Sequence, residues 1–351
     1  SGGLDLDNAN SKLLLTSITV DNVTTSVDNS LGLDVDNNST VSSFSVAHTT
    51  PVSIASGKTL SGAVTVTAGS IKLDEGGTLA TTISMSGGTL DADNSSTVSG
   101  ALSHTADITI DVAEDYTLTY SGAALSLGAY TLTLSGGGTF VSGGLDLDNA
   151  NSKLLLSSIT VDNVSTSVDN SLGLDVDNNS TVSSFSVAHT TPVSIADGKT
   201  LSGAVTVTAG SIKLDETGTL ASTVSMSGGT LDADNSSTVS GTLSHTADIT
   251  IDVAEDQTLT YSGDAISLGA NTLTLSGGGT LVSGGLDLNN ASSKLLLDSI
   301  TVDNVSTSLA SLGLDVDNDS TVSSLSVGHT TPVSIASGKT LSGAISVTAG
   351  S

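Results

Sequence analysis

Two consecutive stretches decide the fold: they read VTVTAGSIKLDEGGTLATT at 64–82 and ISMSGGTLDADNSSTVSGA at 83–101. The two stretches are equally long, and each contains three short runs of alternating apolar and polar residues, separated by small, polar turns. Such alternation indicates strands that bury one face, and a period of roughly 20 residues without helical spacing is typical of one coil of a β-solenoid. The two stretches therefore predict strands that stack coil upon coil.

The coil is nested inside a longer repeat. Shifting the sequence so that Ser1 falls on Ser142 lays 1–141 over 142–282 with few differences, and 283–351 begins a third copy. The first copy divides into seven coils: Leu4–Asn22, Val23–Ser43, Phe44–Ala63, Val64–Thr82, Ile83–Ala101, Leu102–Ala124 and Leu125–Gly144. We therefore predict an all-β, parallel β-solenoid of about 20 residues per coil with three short strands per coil. Repeat unit 1 (1–141), repeat unit 2 (142–282) and the partial unit 3 (283–351) form one continuous solenoid, which we expect to be a fragment of a longer array.

Fixed columns of apolar side chains define the predicted core. The pair before each recurring threonine is expected to point inward, and the residues that open each coil form the third strand. The aligned pairs are Leu33 and Val35, Val52 and Ile54, Ile71 and Leu73, Leu90 and Ala92, Ile110 and Val112, and Leu132 and Leu134. The threonines form one outward row of hydroxyls: Thr40, Thr59, Thr78, Thr97, Thr117 and Thr139. We interpret this row as a structural ladder, because an ice-binding face requires two regular rows.

The composition excludes several classes of function. The chain has 8 Lys, no Arg and 36 acidic residues, giving a net charge of -28. Nucleic acid is not an expected partner, because phosphate binding requires clustered cations. The absence of Cys excludes disulfides and thiolate metal sites. No apolar stretch approaches the roughly 20 residues of a membrane span, so none is expected in this fragment.

Acidic turns are the candidate metal site. In three successive coils of each unit, the turn before the threonine carries oxygen-bearing side chains that stacking would bring about 5 Å apart. Like charges at that spacing repel unless water, salt or a cation intervenes, and Ca²⁺ accepts irregular sets of oxygen ligands. Calcium therefore stands beside a second interpretation, in which these residues are ordinary solvated turn formers. The residues are Asp74, Glu75, Asp93, Asn94, Glu114, Asp115, Asp215, Glu216, Asp234, Asn235, Glu255 and Asp256.

Two further polar features have structural interpretations. Lys72 and Asp91 fall in one column of adjacent coils, with Asp111 next, which predicts a weak cross-coil ion pair. His104 and its copy His245 fall in an apolar column beside Met85 and Met226, so we expect both imidazoles to point into the core. No catalytic residues are predicted. Carbohydrate-cleaving β-helices place acidic and basic groups along one groove, whereas this chain has only three Lys in each full unit and nearly identical units.

Segments such as Gly87–Ala92 and Ala129–Thr139 resemble the β-helical stalks of large bacterial surface adhesins of the autotransporter and filamentous-haemagglutinin kind. The resemblance covers the whole chain and consists of coils of about 20 residues, Ser/Thr/Gly/Asn turns and a lack of Cys. It implies an extracellular or cell-surface location and a rigid spacer in adhesion, biofilm or filament formation, with self-assembly or continuation of the array as the expected contact. One alternative is a ligand-binding face, which would bind surface glycans or another cell, adhere in a calcium-dependent way or bind ice. The other alternative is a polysaccharide-degrading β-helix enzyme.

Overall fold

A computed structural model describes residues 3–348, and its secondary structure consists of β-strands. In the first copy of the repeat the strands are β1 Leu4–Leu6, β2 Lys12–Leu15, β3 Thr19–Thr25, β4 Gly32–Val35, β5 Ser39–Val46, β6 Thr50–Ile54, β7 Thr59–Val66, β8 Ser70–Leu73, β9 Thr78–Met85, β10 Thr89–Ala92, β11 Ser96–Val98, β12 Leu102–His104, β13 Ile108–Val112, β14 Thr117–Tyr120, β15 Leu125–Ser126, β16 Thr131–Ser135 and β17 Thr139–Val141.

The second copy repeats this order. Its strands are β18 Leu145–Leu147, β19 Lys153–Ser157, β20 Thr160–Thr166, β21 Gly173–Val176, β22 Ser180–Val187, β23 Thr191–Ile195, β24 Thr200–Val207, β25 Ser211–Leu214, β26 Thr219–Met226, β27 Thr230–Ala233, β28 Ser237–Val239, β29 Leu243–His245, β30 Ile249–Val253, β31 Thr258–Tyr261, β32 Ile266–Ser267, β33 Thr272–Ser276 and β34 Thr280–Val282. The third copy contributes β35 Leu286–Leu288, β36 Lys294–Leu297, β37 Thr301–Thr307, β38 Gly313–Val316, β39 Ser320–Val327, β40 Val333–Ile335 and β41 Leu341–Val347.

Contacts divide the chain into two compact units, each a parallel β-solenoid. Unit 1 comprises 1–167 with 177–183, and unit 2 comprises 168–176 with 184–351. From here on, unit 1 and unit 2 mean these compact units, whose bounds differ from those of the repeat units. Equivalent strands of successive coils pair in parallel, as β7 does with β9, where Val64 lies opposite Ile83 and Val66 opposite Met85. The predicted fold class is confirmed. Within residues 3–348 there is no helix long and apolar enough to cross a membrane.

Each coil contains two to three strands. In several coils one strand continues through a corner, as β5 does. Its corner lies at Ser42 and Ser43, which are both exposed and so interrupt the alternation of buried and exposed residues. In other coils the corner separates two strands, as between β11 and β12. In the continuous strand β7 the corner is formed at Gly62. Its φ is +126°, and a Cβ there would lie 1.7 Å from the carbonyl oxygen of Val41. Only glycine tolerates both conditions.

The apolar columns form the core of each unit. Phe44, Val64, Ile83 and Leu125, which open their coils, are each no more than 3% exposed. The sequence alignment of the inward pairs is wrong at two places in the first copy: Val52 lies opposite Leu73 rather than Ile71, and Ile110 opposite Leu134 rather than Leu132. The fault lies in aligning on the threonines. Turns of different length displace neighbouring strands by two residues, which preserves the inward face because side chains alternate.

The threonine ladder is observed with two interruptions. Thr59, Thr78 and Thr97 lie opposite one another, as do Thr117 and Thr139. However, Thr40 pairs with Ser61, and Thr97 with Thr119, so the predicted single row is displaced at both points.

Candidate functional site

An ion-pair cluster around Lys72 occupies the outer face of unit 1. β8 and β10 pair so that Lys72 lies opposite Asp91, and the next coil places Asp111 opposite Asp91, as the sequence predicts. The Nζ atom of Lys72 lies 3.5 Å from Asp91 Oδ2 and 3.1 Å from Asp93 Oδ2. The lysine therefore supplies a cation between acidic side chains of the adjacent coil.

The carboxylates around Lys72 outnumber it. Burial, followed by the charge of Asp93, raises the pKa of Asp91 to about 6, although Lys72 opposes the shift. Burial and Asp93 also raise the pKa of Asp74. The hydrogen bond to Asp93 raises the pKa of Lys72. The cluster is therefore electrostatically crowded rather than fully neutralised.

Unit 2 repeats the cluster. Lys213 Nζ lies 2.9 Å from Asp234 Oδ2 and 3.8 Å from Asp232 Oδ2. Burial, followed by Asp234, raises the pKa of Asp232 to about 6, and burial raises the pKa of Asp215. The same physical situation thus arises from the same residues one repeat later.

The predicted calcium residues are only partly gathered. Asp74 and Asp93 both act electrostatically on Lys72, whereas Glu75 is exposed and its carbonyl accepts the Ser96 hydroxyl at 3.0 Å. The Asn94 side chain accepts the Ser95 N–H at 2.8 Å. In unit 2 the Ser237 hydroxyl donates to the backbone carbonyls of Glu216 and Asn235, as the Ser96 hydroxyl does to that of Glu75 in unit 1. Among residues 3–348 no three His, Asp or Glu side chains form a group that could hold a metal ion. Calcium binding stays a prediction.

Glu114 lies at a different feature, a shallow polar groove of about 250 Å³ in unit 1. The groove runs over successive turns and is lined by Glu114, Gly137, Ser158, Ile159, Thr160, Asn179, Ser180 and Thr181. Ser158 has a φ of +57°, and Asp115 beside Glu114 has a φ of +69°, so both turns use the left-handed backbone region. Unit 2 has an equivalent groove of about 250 Å³, in which Glu255 is retained, Asp319 takes the place of Asn179, and Asp256 has a φ of +62°.

Many acidic side chains serve as hydrogen-bond acceptors for a neighbouring coil, a role that the sequence interpretation missed. In unit 1 the Asp28 carboxylate accepts the Thr49 N–H at 2.9 Å, and Asp107 accepts the Thr131 N–H at 2.7 Å. Hydroxyls are bound in the same way: Asp5 accepts the Ser26 hydroxyl at 2.5 Å. Each bond joins residues more than 20 positions apart, which is the length of a coil.

Unit 2 contains the same bonds. Asp169 accepts the Thr190 N–H at 2.9 Å and Asp248 the Thr272 N–H at 2.6 Å. Asp287 accepts the Ser308 hydroxyl at 2.7 Å. The sequence signal was an Asp followed 21 to 24 residues later by Ser or Thr and repeated in the next copy.

The histidine column is confirmed, but not its depth. His104 lies opposite Met85, and His245 opposite Met226, as predicted. Met85 and Met226 are fully buried, whereas both imidazoles are only half-buried. Their ring nitrogens contact backbone carbonyl oxygens, those of Ala106 and Ser126 for His104 and those of Ala247 and Ser267 for His245.

Comparison of the chain with protein-family models, with curated proteins and with solved structures gave no significant match.

Proposed function

We propose that this chain is a structural stalk or fibre segment of a secreted or cell-surface repeat protein, in which it acts as a rigid spacer in adhesion, biofilm or filament formation. The observation that carries the proposal is the use of polar side chains for contacts between coils. Carboxylates of Asp28, Asp107 and Asp5 are engaged with the next coil, and the same bonds recur one repeat later.

This arrangement suits a spacer for a physical reason. In a solenoid each coil contacts only its neighbours, so stability accumulates through coil-to-coil interfaces. A hydrogen bond to a charged acceptor is stronger than one to a neutral acceptor, and solvent weakens it at exposed positions such as these. These Asp bonds therefore stabilise several of the interfaces between coils, while the net charge of -28 disfavours non-specific lateral association.

A ligand-binding face is the second candidate, favoured by the groove at Glu114 and its copy at Glu255. Both grooves are polar and recur in each unit, as a repeated site for a glycan or another cell surface would. The resemblance to adhesin stalks supports an extracellular location for either function.

Two measurements test these proposals. Protease added to intact cells of the source organism should degrade the protein, if it is displayed outside the cell; protection until lysis would contradict a surface location. Binding of the purified chain to a glycan array separates the two functions. A spacer should give no saturable signal, whereas a signal lost on changing Glu114 and Glu255 to Gln would replace the spacer with a binding face.

A further inference from the structure

The ring of His104 lies between two backbone carbonyls of unit 1. Its Nδ1 atom is 3.1 Å from the carbonyl oxygen of Ala106, in the turn that follows, and its Nε2 atom is 3.1 Å from that of Ser126, in the next coil. In unit 2 the His245 ring makes the same contacts with Ala247 and Ser267, each at 3.1 Å. The ring thus bridges two levels of the solenoid in both units.

The protonation of the ring decides whether both contacts are hydrogen bonds. A carbonyl oxygen can only accept, and a neutral imidazole has one N–H, whereas the imidazolium ion has two. A neutral ring therefore bonds one carbonyl and turns a nitrogen lone pair toward the other. Only the protonated ring satisfies both oxygens.

The surroundings of the two rings include few other titratable groups. The edge of Tyr130 meets the His104 ring at 5.7 Å between centroids, and β9 contributes the apolar Met85. Asp107, from the following turn, is bonded to the Thr131 N–H at 2.7 Å. Asp148, one coil beyond that of Ser126, accepts the Gly128 N–H at 2.9 Å and the Ser126 hydroxyl.

Unit 2 keeps the bridge while losing two of these groups. Asn271 stands in place of Tyr130, and Asn289 in place of Asp148. Asn289 accepts the Gly269 N–H at 3.0 Å, as Asp148 does for Gly128 in unit 1. Asp248 remains, bonded to the Thr272 N–H at 2.6 Å. The two carbonyl contacts of the ring are therefore common to both units, whatever the neighbouring side chain.

We propose that His104 and His245 are proton-dependent locks between successive coils. In acid each ring carries two protons and bonds its own turn and the next coil; in alkali each ring keeps one bond, and the coil interface beside it loosens. The lock goes beyond a stalk function, since it makes the cohesion of the stack respond to pH, a regulated property that a passive spacer does not need.

Chemical denaturation of the full chain tests the proposal at about pH 5 and about pH 8, on either side of the ordinary histidine range. The test compares the parent with a His104→Gln, His245→Gln double variant. His329→Gln is the matched control, because His329 is exposed. Acid should stabilise the parent more than the double variant, by roughly tenfold in the folded-to-unfolded ratio per lock. The control should follow the parent.

An equal response to pH in the parent and the double variant would overturn the proposal. The His48–Asp28 and His189–Asp169 contacts, at 3.3 and 3.4 Å, are present in all variants, so any effect of them cancels in the comparison. If the double variant does not fold, ring ¹⁵N spectra of the parent decide the matter. Two slowly exchanging N–H protons per ring are expected in acid; fast exchange at either nitrogen of His104 or His245 would refute the lock.

Discussion

Replacing Asp91 and Asp232 by Asn should stabilise the protein at alkaline pH. Burial and the neighbouring Asp93 raise the pKa of Asp91 to about 6, and burial with Asp234 does the same for Asp232. A carboxyl whose pKa is higher in the folded state than its ordinary value binds its proton more tightly when folded. Its contribution to stability is complete below about pH 4 and is lost as the pH rises through about 6.

The magnitude follows from the same shift. A change from the ordinary value of 3.8 to about 6 corresponds to a ceiling of about 3 kcal/mol for each carboxyl. The Asp91 side chain is 18% exposed, and its attraction to Lys72 is lost in the variant. Both effects reduce the gain to about 1 kcal/mol per site. Asn has the shape of Asp and no charge, so the cost of the buried ionised carboxylate disappears.

Urea denaturation of the parent and the double variant at about pH 4 and about pH 8 measures this effect. The two proteins should unfold at similar urea concentrations in acid, and the variant at a higher concentration in alkali. A matched Asp36→Asn variant, at an exposed turn position, should unfold at the same urea concentration as the parent at both pH values. If the Asp91 and Asp232 variant is less stable than the parent at alkaline pH, the ion pairs with Lys72 and Lys213 outweigh burial, and the reasoning fails.

Three further predictions concern the core, a corner and the acidic turns. The Tyr120→Phe change leaves the buried Leu102 N–H, now 3.2 Å from the tyrosine oxygen, without a partner, and should cost about 1 to 3 kcal/mol in urea denaturation. Gly62→Ala should prevent or severely impair folding, judged by circular dichroism, because its Cβ would meet the Val41 carbonyl; Gly57→Ala, with open space around it and a φ of +72°, should cost only about 1 kcal/mol. Calcium should raise the melting temperature above that in sodium at matched ionic strength, and equal melting would leave the acidic turns as solvated loops. The effect should vanish when Asn replaces Asp74, Asp93, Asp215 and Asp234.

The fold could be predicted because a solenoid repeats the same local pattern. Alternating residues such as those at 64–66 and 71–73 specify strands with one buried face, and the recurrence of 1–141 at 142–282 identifies the array. The pairing of Lys72 with Asp91 followed from the coil length alone. The coil length was therefore sufficient to place these two side chains in one column.

The details that failed depend on turns. The two-residue displacement at Val52 arises because the number of residues in a turn does not reveal how far the chain advances along the next strand. The hydrogen bond that the Thr131 N–H donates to Asp107 depends on the orientation of a side chain toward the next coil, which residue spacing does not specify. The half-burial of His104 likewise depends on carbonyl oxygens, which have no signature in the sequence.

Length is the most direct test of the spacer proposal. Seven coils at about 4.8 Å each predict that one repeat unit adds about 34 Å. Electron microscopy of single particles would compare the full chain with a version that lacks 142–282, in which the coils remain in phase. A particle shorter by about 34 Å, which is the rise of seven stacked strands, with unchanged width, is the expected result. An unchanged length, or a change in width instead, would contradict a solenoid that acts as a rigid spacer.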